Sequence, residues 1–521
     1  MIIRSLYPDP AIPDVALAPF VLSQARQRGA KPALIDGPSG RTITYEHLAG
    51  AVERAAAGFA GLGLRKGDVV AIFSPNLPEY AVALLGAISA GVVVTTVNPL
   101  YTVEELAHQL NDSGARALIT LPSFLDKASE AARQAKVEHV LVFGEADGAT
   151  PFSSLLDETG PAPQVSINPR EDLAALPYSS GTTGLSKGVM LTHYNLVANL
   201  CQIQTSSTLI KESDTLIAVL PFFHIYGLVV ILNLGLLQGA TIVTMPRFGL
   251  EEFLAMMERY QISVAQLVPP IVLALAKQPM VERFNLSRLR WVMSGAAPLG
   301  EETARACAER LRCGVVQGYG LTETSPVSHI SPTDPARVRI SSVGHAVAGT
   351  ECRVVDLATG EDLGPNQRGE IWTRGPQVMK GYWRQPEATA ATIDPEGWLR
   401  TGDIGYVDED GYFYIVDRAK ELIKYKGYQV APAELEELLL THPSIADAAV
   451  IPSPDEEAGE VPKAFVTLKA PLSEEEILRY VAERVAPHKK IRRVEIIEQI
   501  PKLPSGKILR RVLVERERGG I

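Results

Sequence analysis

The stretch YSSGTTGLSKGV, Tyr178 to Val189, interleaves Gly181, Gly184 and Gly188 with hydroxyl side chains and one lysine, Lys187. Gly181 and Gly184 let backbone N–H groups turn inward, and Ser179, Ser180, Thr182 and Thr183 add hydroxyl donors. Donors aimed at an anion form charge-assisted bonds worth ~1.5–3 kcal/mol each. The stretch therefore reads as a cradle for a nucleotide phosphate. It is not a Walker A loop, which needs glycine before the lysine and a metal-binding hydroxyl after it. Here Ser186 precedes Lys187 and Gly188 follows. The dinucleotide fingerprint G-x-G-x-x-G fails as well, because the glycine spacing is wrong. Taken alone, the loop also admits a plain surface turn.

Phosphate loops of this kind sit at strand ends in α/β sheets, and the flanking sequence predicts that setting. VVAIFS (69–74), VVVTTVNP (92–99), RALIT (116–120) and HVLVFG (139–144) are short apolar runs separated by helical patterns such as EYAVALLGAISAG and TVEELAHQLNDSG. Such alternation signals βαβ units and parallel sheet. The theme returns in TLIAVLPF, ATIVTMP, SVAQLVPP, LRWVMSG and GVVQGYG. After about Gly344 the strands shorten and are joined by turns, as in ECRVVD, GEIWTRG and GYFYIVD. The last hundred or so residues add two acid-led helical patterns, APAELEELLLTH and SEEEILRYVAERV. The expected architecture is α/β: a large body of mostly parallel sheets with helices over 1–416, carrying a β-rich subdomain at about 345–416. A small α+β domain follows over 417–521.

Composition narrows the function. The 521-residue chain is 46% hydrophobic and 21% charged, an ordinary globular balance. Its net charge of −10 argues against general affinity for nucleic acid or acidic membranes. Cys201, Cys307, Cys313 and Cys352 make no C-x-x-C pair, so neither a disulfide framework nor a zinc site is expected. A reducing cytoplasm is the simplest compartment. The amino-terminal MIIRSLYPDP lacks a signal-peptide core. The longest apolar run, Ile225 to Ala240, is shorter than the ~20 residues of a spanning helix and predicts a buried one.

Further polar segments suit a nucleotide site. In QGYGLTETS (317–325), Tyr319 offers a face for a base, Thr322 a hydroxyl for phosphate and Glu323 a carboxylate for Mg²⁺. WLRTGD ends in Asp403, suited to ribose hydroxyls, while Arg418 and Lys507 are candidates to neutralise a phosphate oxyanion. Singly, each also reads as a helix-start acid, a turn residue or a surface charge.

Together, YSSGTTGLSKGVMLTH, QGYGLTET, WLRTGD, VDRAKELIKYKGYQVAPAELE and PKLPSGKI, in that order, resemble the adenylate-forming acyl-CoA synthetase superfamily. The chain is most similar to its 4-coumarate–CoA ligase and fatty-acyl-CoA synthetase branch, from about Ala33 to Arg511. One departure is Ser186, where many relatives have proline. The resemblance implies an acid–CoA ligase: ATP adenylates a carboxylic acid, releasing pyrophosphate, and the CoA thiol then takes the acyl group. It implies that Ser179, Ser180, Gly181, Thr182, Thr183 and Lys187 grip the β,γ-phosphates. Thr322 would contact the α-phosphate, Glu323 would bind Mg²⁺, and Lys507 would bridge the carboxylate and α-phosphate. Gly295, Ala296, Gln317, Gly318 and Tyr319 would enclose adenine, with Asp403 and Arg418 at the ribose.

For the second step it implies a mobile C-terminal domain turning about Asp417, bringing Lys426 and Gly427 to the reaction with CoA. Arg247 would meet the CoA phosphates. His224 would orient the carboxylate in an acyl pocket of Tyr226, Val230, Gly295, Gly320, Pro326 and Val327, with Lys420 and Lys424 near the acyl-adenylate. An aryl-propenoate is the favoured acid, with a medium- or long-chain fatty acid as the alternative. Ile521 follows soon after Lys507, which predicts free CoA over a fused carrier domain, with a separate carrier protein left open. Other readings are a luciferase-like oxygenase, a P-loop NTPase and a non-catalytic adenylate binder. A monomer or homodimer is expected.

Overall fold

The computed structural model describes residues 1–157, 163–179, 186–426, 428–455, 458–503 and 506–517. Two large sheets carry the body. The first contains the parallel strands Leu173–Ala175, Val93–Val97, Val69–Phe73, Ala115–Thr120, His139–Val142 and Thr150–Pro151, in that spatial order. Lys187–Thr192 joins it antiparallel beside Leu173–Ala175 and pairs in turn with Tyr178–Ser179 and Gly381–Tyr382. The second runs Gly314–Gly320, Trp291–Ser294, Val264–Leu267, Thr215–Ala218, Thr241–Thr244, Pro32–Asp36, all parallel, with antiparallel strands at both ends. Residues of VVAIF are buried without alternation, as strands covered on both faces must be.

One apolar core joins both sheets. Helix Pro78–Ser89 lies inside it and touches strands of each sheet, which is why its sequence, PEYAVALLGAIS, shows no polar face. At Gly86 a Cβ would come within 2.6 Å of the Ala55 Cβ on helix Tyr45–Gly61, so glycine sets how closely the two helices approach. The apolar run Ile225–Ala240 is buried as expected. It is not one regular α-helix: Tyr226–Asn233 winds with π-type turns, and Leu234–Gln238 continues as α-helix. The Asn233 amide donates to the Leu228 carbonyl at 2.8 Å, taking up an acceptor in the widened coil. No helix among the described residues is long and apolar enough to cross a membrane.

The small β-rich sheet orders Ile3–Arg4, Glu351–Val355, Gly369–Arg374, Leu399–Val407 and Phe413–Arg418. Two of its boundaries differ from the range 345–416. The amino-terminal strand Ile3–Arg4 joins its edge, pairing Ile3 with Cys352, a non-local partnership that local pattern cannot reveal. Its last strand also runs through Asp417 to Arg418, because the ladder with Leu399–Val407 extends to the pair Asp403–Arg418. The C-terminal unit has its own sheet and core, with helices Pro432–Leu440 and Glu474–Ala482 packed on it.

Candidate active site

The loops that leave the carboxyl ends of the second sheet's strands open onto one cavity of about 580 Å³. Open α/β sheets bind ligands at this edge. Segments far apart in sequence converge there: Tyr178, Ser179 and Lys187 from the first sheet, Gly295 and Ala296 after Trp291–Ser294, and Gly318 to Glu323 after Gly314–Gly320. Thr401, Gly402, Arg418 and Lys420 border it from the small sheet and the turn beyond, and Leu503 and Lys507 from the C-terminal unit.

At one end, Asp403 is buried beneath the lining, where it holds two neighbours. The Tyr319 hydroxyl donates to its Oδ2 at 2.7 Å, and Arg418 Nε lies 3.4 Å from Oδ1. Burial pushes the Asp403 carboxyl up, against the pull of the Arg418 guanidinium and the Tyr319 hydrogen bond. Its loop is fixed from below: Gly402 N–H donates to Glu370 Oε1 at 2.8 Å, and the Trp372 indole to Glu370 Oε2 at 2.8 Å.

In the middle, Glu323 is buried and accepts the Tyr382 hydroxyl at 2.9 Å. Lys187 Nζ sits 4.9 Å from the centroid of the same Tyr382 ring. Tyr382 reaches both because Gly381–Tyr382 pairs with Lys187–Thr192, Val189 opposite Tyr382. Thr322 borders the cavity beside Glu323. Lys507 enters from the opposite side. Burial, then the nearby Arg418 charge, pushes its ammonium down to about 8, although Glu421, Asp403 and Glu323 oppose the shift. Cations and carboxylates from four motifs thus act on one another in a single space.

At the other end the walls turn apolar. Tyr226 lies over Gly295, whose Cβ, if present, would come 3.0 Å from Tyr226 Cε1, and the Tyr226 hydroxyl donates to the Met293 carbonyl at 3.2 Å. Gly320, Pro326 and Val327 complete this slot. His224 stands at its mouth. Burial and the Lys507 charge push its imidazole down to about 4, so it is neutral at physiological pH. Its Nδ1 accepts the Tyr226 backbone N–H at 3.3 Å, which leaves the proton on Nε2.

Not every residue singled out from the sequence reaches this cavity. Val230 is buried behind it and borders a second, much smaller void that shares Met293 and Val327. Gln317 is buried too, its amide donating to Ile340 O at 2.7 Å and Leu299 O at 3.3 Å, so it braces the loop from beneath. Arg247, Lys424 and Lys426 are exposed and outside the lining. Asp417 is buried, accepting the Ala433 N–H at 2.9 Å. Ser180, Gly181, Thr182, Thr183 and Gly427 lie outside the described residues. Conversely, Tyr382, Glu370 and Met293 carry no motif signal in the sequence, yet they line the cavity. Only strand pairing and loop approach put them there.

Among the described residues no group of three or more His, Cys, Asp or Glu side chains forms a protein-only metal cage. Glu323 nonetheless suits Mg²⁺, which takes one or two carboxylates and completes its shell with substrate phosphates and water.

The family profile described as "AMP-binding enzyme" matches residues 21–383, and "AMP-binding enzyme C-terminal domain" matches residues 434–507. A curated relative, the 4-coumarate–CoA ligase of Pinus taeda, is 45% identical over 98% of this chain and 97% of its own length. The 4-coumarate–CoA ligase 1 of Petroselinum crispum is 44% identical over 100% of this chain and 97% of its own. Among solved structures, ATP-bound MatB from Rhodopseudomonas palustris superposes with a TM-score of 0.86 at 30% identity, covering 97% of this chain and 99% of that one. The anthranilate CoA ligase AuaEII in complex with anthranoyl-AMP gives 0.89 at 26% identity, covering 97% and 98%.

Proposed function

Since the chain belongs to the AMP-binding enzymes and is an AMP-forming acid–CoA ligase, with ATP and CoA as substrates, we propose that its acid is an aryl-propenoate of the 4-coumarate class. The observation that carries this reading is the join between the slot that Tyr226 narrows over Gly295 and the charged centre around Lys507 and Glu323. The named substrate of the full-length relatives supports it. Adenylation brings two anions together, a carboxylate and the α-phosphate of ATP. Lys507 spans that junction, His224 Nε2–H donates to the carboxylate, and Lys187 with the loop around it holds the outer phosphates. Thr322 contacts the α-phosphate, and Asp403 with Arg418 fixes the ribose. Glu323 and the substrate phosphates would hold Mg²⁺, which when bound would supply charge neutralisation for the pyrophosphate leaving group.

For the second step the C-terminal domain turns about Asp417, withdrawing Lys507 and presenting Lys426 and Gly427, with Arg247 meeting the CoA phosphates. Activation makes chemical sense of the sequence of steps. A free carboxylate repels a thiolate and has no good leaving group, whereas a mixed anhydride with AMP has both faults removed.

Two measurements test the reading. CoA-dependent AMP formation over a panel of hydroxycinnamic, benzoic and alkyl acids should peak at the hydroxycinnamates. A peak at medium or long alkyl acids would replace the aryl assignment with a fatty-acid one. The second follows from the Lys507 ammonium, depressed from 10.5 to about 8. Such a group is cationic below that pH and loses its charge as pH rises through it. kcat/KM for ATP, which reports the free enzyme, should therefore fall on an alkaline limb near pH 8. Bound phosphates restore the charge, so the limb in kcat should lie higher. Coincident limbs, or none below pH ~10, would contradict a charged Lys507 in the first step.

A further inference from the structure

Lys507 rides on a tight loop that several contacts tie to the rest of the C-terminal domain: Lys502 Nζ donates to Asp447 Oδ1 at 2.7 Å, Ile508 packs against the apolar cluster of Ala449, Ile451 and Phe465, and the Arg510 side chain reaches the turn after Asp417. Within the loop, Leu503 N–H donates to Lys507 O at 2.8 Å, Gly506 N–H to Leu503 O at 2.8 Å, and Leu509 N–H to Pro501 O at 2.9 Å. Arg510 then opens helix Arg510–Glu517. Its guanidinium is nearly buried and makes four hydrogen bonds: one nitrogen to Glu421 Oε2 at 2.6 Å, a second to Glu436 Oε1 at 2.7 Å and Oε2 at 2.8 Å, and Nε to Val450 O at 3.2 Å. Glu436, on helix Pro432–Leu440, also accepts Val450 N–H at 2.8 Å. Glu421 is the partner that matters for motion. It lies in the turn just after strand Phe413–Arg418, where Glu421 and Leu422 N–H both donate to Arg418 O, at 3.0 and 3.2 Å. Arg510 and Glu421 are 89 residues apart in sequence.

We propose that Arg510 is the positioning residue for Lys507: its grip on Glu421 fixes the lysine loop to the turn that follows Asp417, so the ammonium is set in the cavity for adenylation and moves as one body with that turn. The inference rests on the two-step reading above. All three partners of Arg510 lie beyond Asp417, so the clamp turns with the domain and need not break. A planar guanidinium forking between two carboxylates defines direction as well as distance, which a lysine ammonium does not. Lys502 and Ile508 hold the same loop to the C-terminal sheet, whereas Arg510–Glu421 ties it to the turn that follows Asp417.

The test separates positioning from folding and from charge. Glu421→Ala removes the tie to the turn but leaves Arg510 bonded to Glu436 and Val450, so melting and far-UV circular dichroism should stay near wild type. Pyrophosphate release should fall by about tenfold, while CoA transfer from a preformed acyl-adenylate stays within about twofold. Glu421→Gln removes the charge but keeps an acceptor for the guanidinium, and should retain most of the adenylation rate. Arg510→Lys should fail as Glu421→Ala does. Equal losses in the alanine and glutamine variants would make the effect electrostatic and overturn the proposal, as would unimpaired adenylation in Glu421→Ala or equal loss of both half-reactions. Lys507→Ala run alongside isolates the underlying reading. If it loses both half-reactions equally, the two-step assignment is at fault. If it splits them and Glu421→Ala does not, the clamp alone is refuted.

Discussion

Lys507→Ala is expected to lower pyrophosphate release from acid and ATP by ~10²–10³-fold or more. CoA transfer from supplied acyl-adenylate should stay within about threefold of wild type. The asymmetry follows from where charge develops. In the first step negative charge gathers where carboxylate oxygen attacks phosphorus, and Lys507 is the cation that enters the cavity beside Glu323 and Asp403 from the C-terminal side. In the proposed second step a neutral carbonyl is attacked and AMP departs, with Lys507 turned away from the cavity. The fold should tolerate the change. Burial depresses the ammonium to about 8, so between that pH and 10.5 the unfolded chain binds the proton that the folded one releases, and stability gained from this group rises with pH. At neutral pH the buried cation is a cost to folding, and the alanine variant should melt no lower than wild type. Rapid-quench measurement of both half-reactions decides the matter, and equal losses would remove Lys507 from the role given to it.

Asp403→Ala should behave differently, impairing both half-reactions by ~10²–10⁴-fold in kcat/KM. A carboxylate that accepts from two ribose hydroxyls contributes two charge-assisted bonds of ~1.5–3 kcal/mol each, and together they give that range. The ribose is present in ATP and in the acyl-adenylate, so the loss follows the nucleotide through both steps. The substitution also strips Tyr319 of its 2.7 Å acceptor and Arg418 of its partner. Burial already raises the Asp403 carboxyl, so the neutral alanine site should fold. The loss should appear largely in KM for ATP, and acyl-adenylate should be released prematurely into solution. If Asp403→Ala left CoA transfer intact, the carboxylate would not be holding the nucleotide.

These two expected outcomes diverge because Lys507 enters the cavity from the C-terminal unit, whereas Asp403 is built into strand Leu399–Val407 of the body. The sequence carried the identity of both side chains, since charged residues in glycine-rich turns at strand ends stand out against an apolar chain. It carried the parallel strands for the same reason: runs such as VVAIF are buried on both faces and admit little polarity. Ile3–Arg4 at the edge of the small sheet left no such trace, because two residues have no period and their partner is Cys352. The π-type winding of Tyr226–Asn233 was equally invisible, as its residues are apolar whichever way the coil turns.

Periodicity, turn chemistry and ordered polar motifs depend on neighbours along the chain, so the amino-acid order alone determined the α/β class, the C-terminal unit and most of the charged groups that gather at the cavity. Tertiary structure alone decided which of them meet. Tyr382 joins Lys187 to Glu323 through strand pairing, Gln317 turns away to bond Ile340 and Leu299, and Val230 is set behind Met293. Distance between groups remote in sequence is fixed by packing and register, and one residue's own type does not encode it.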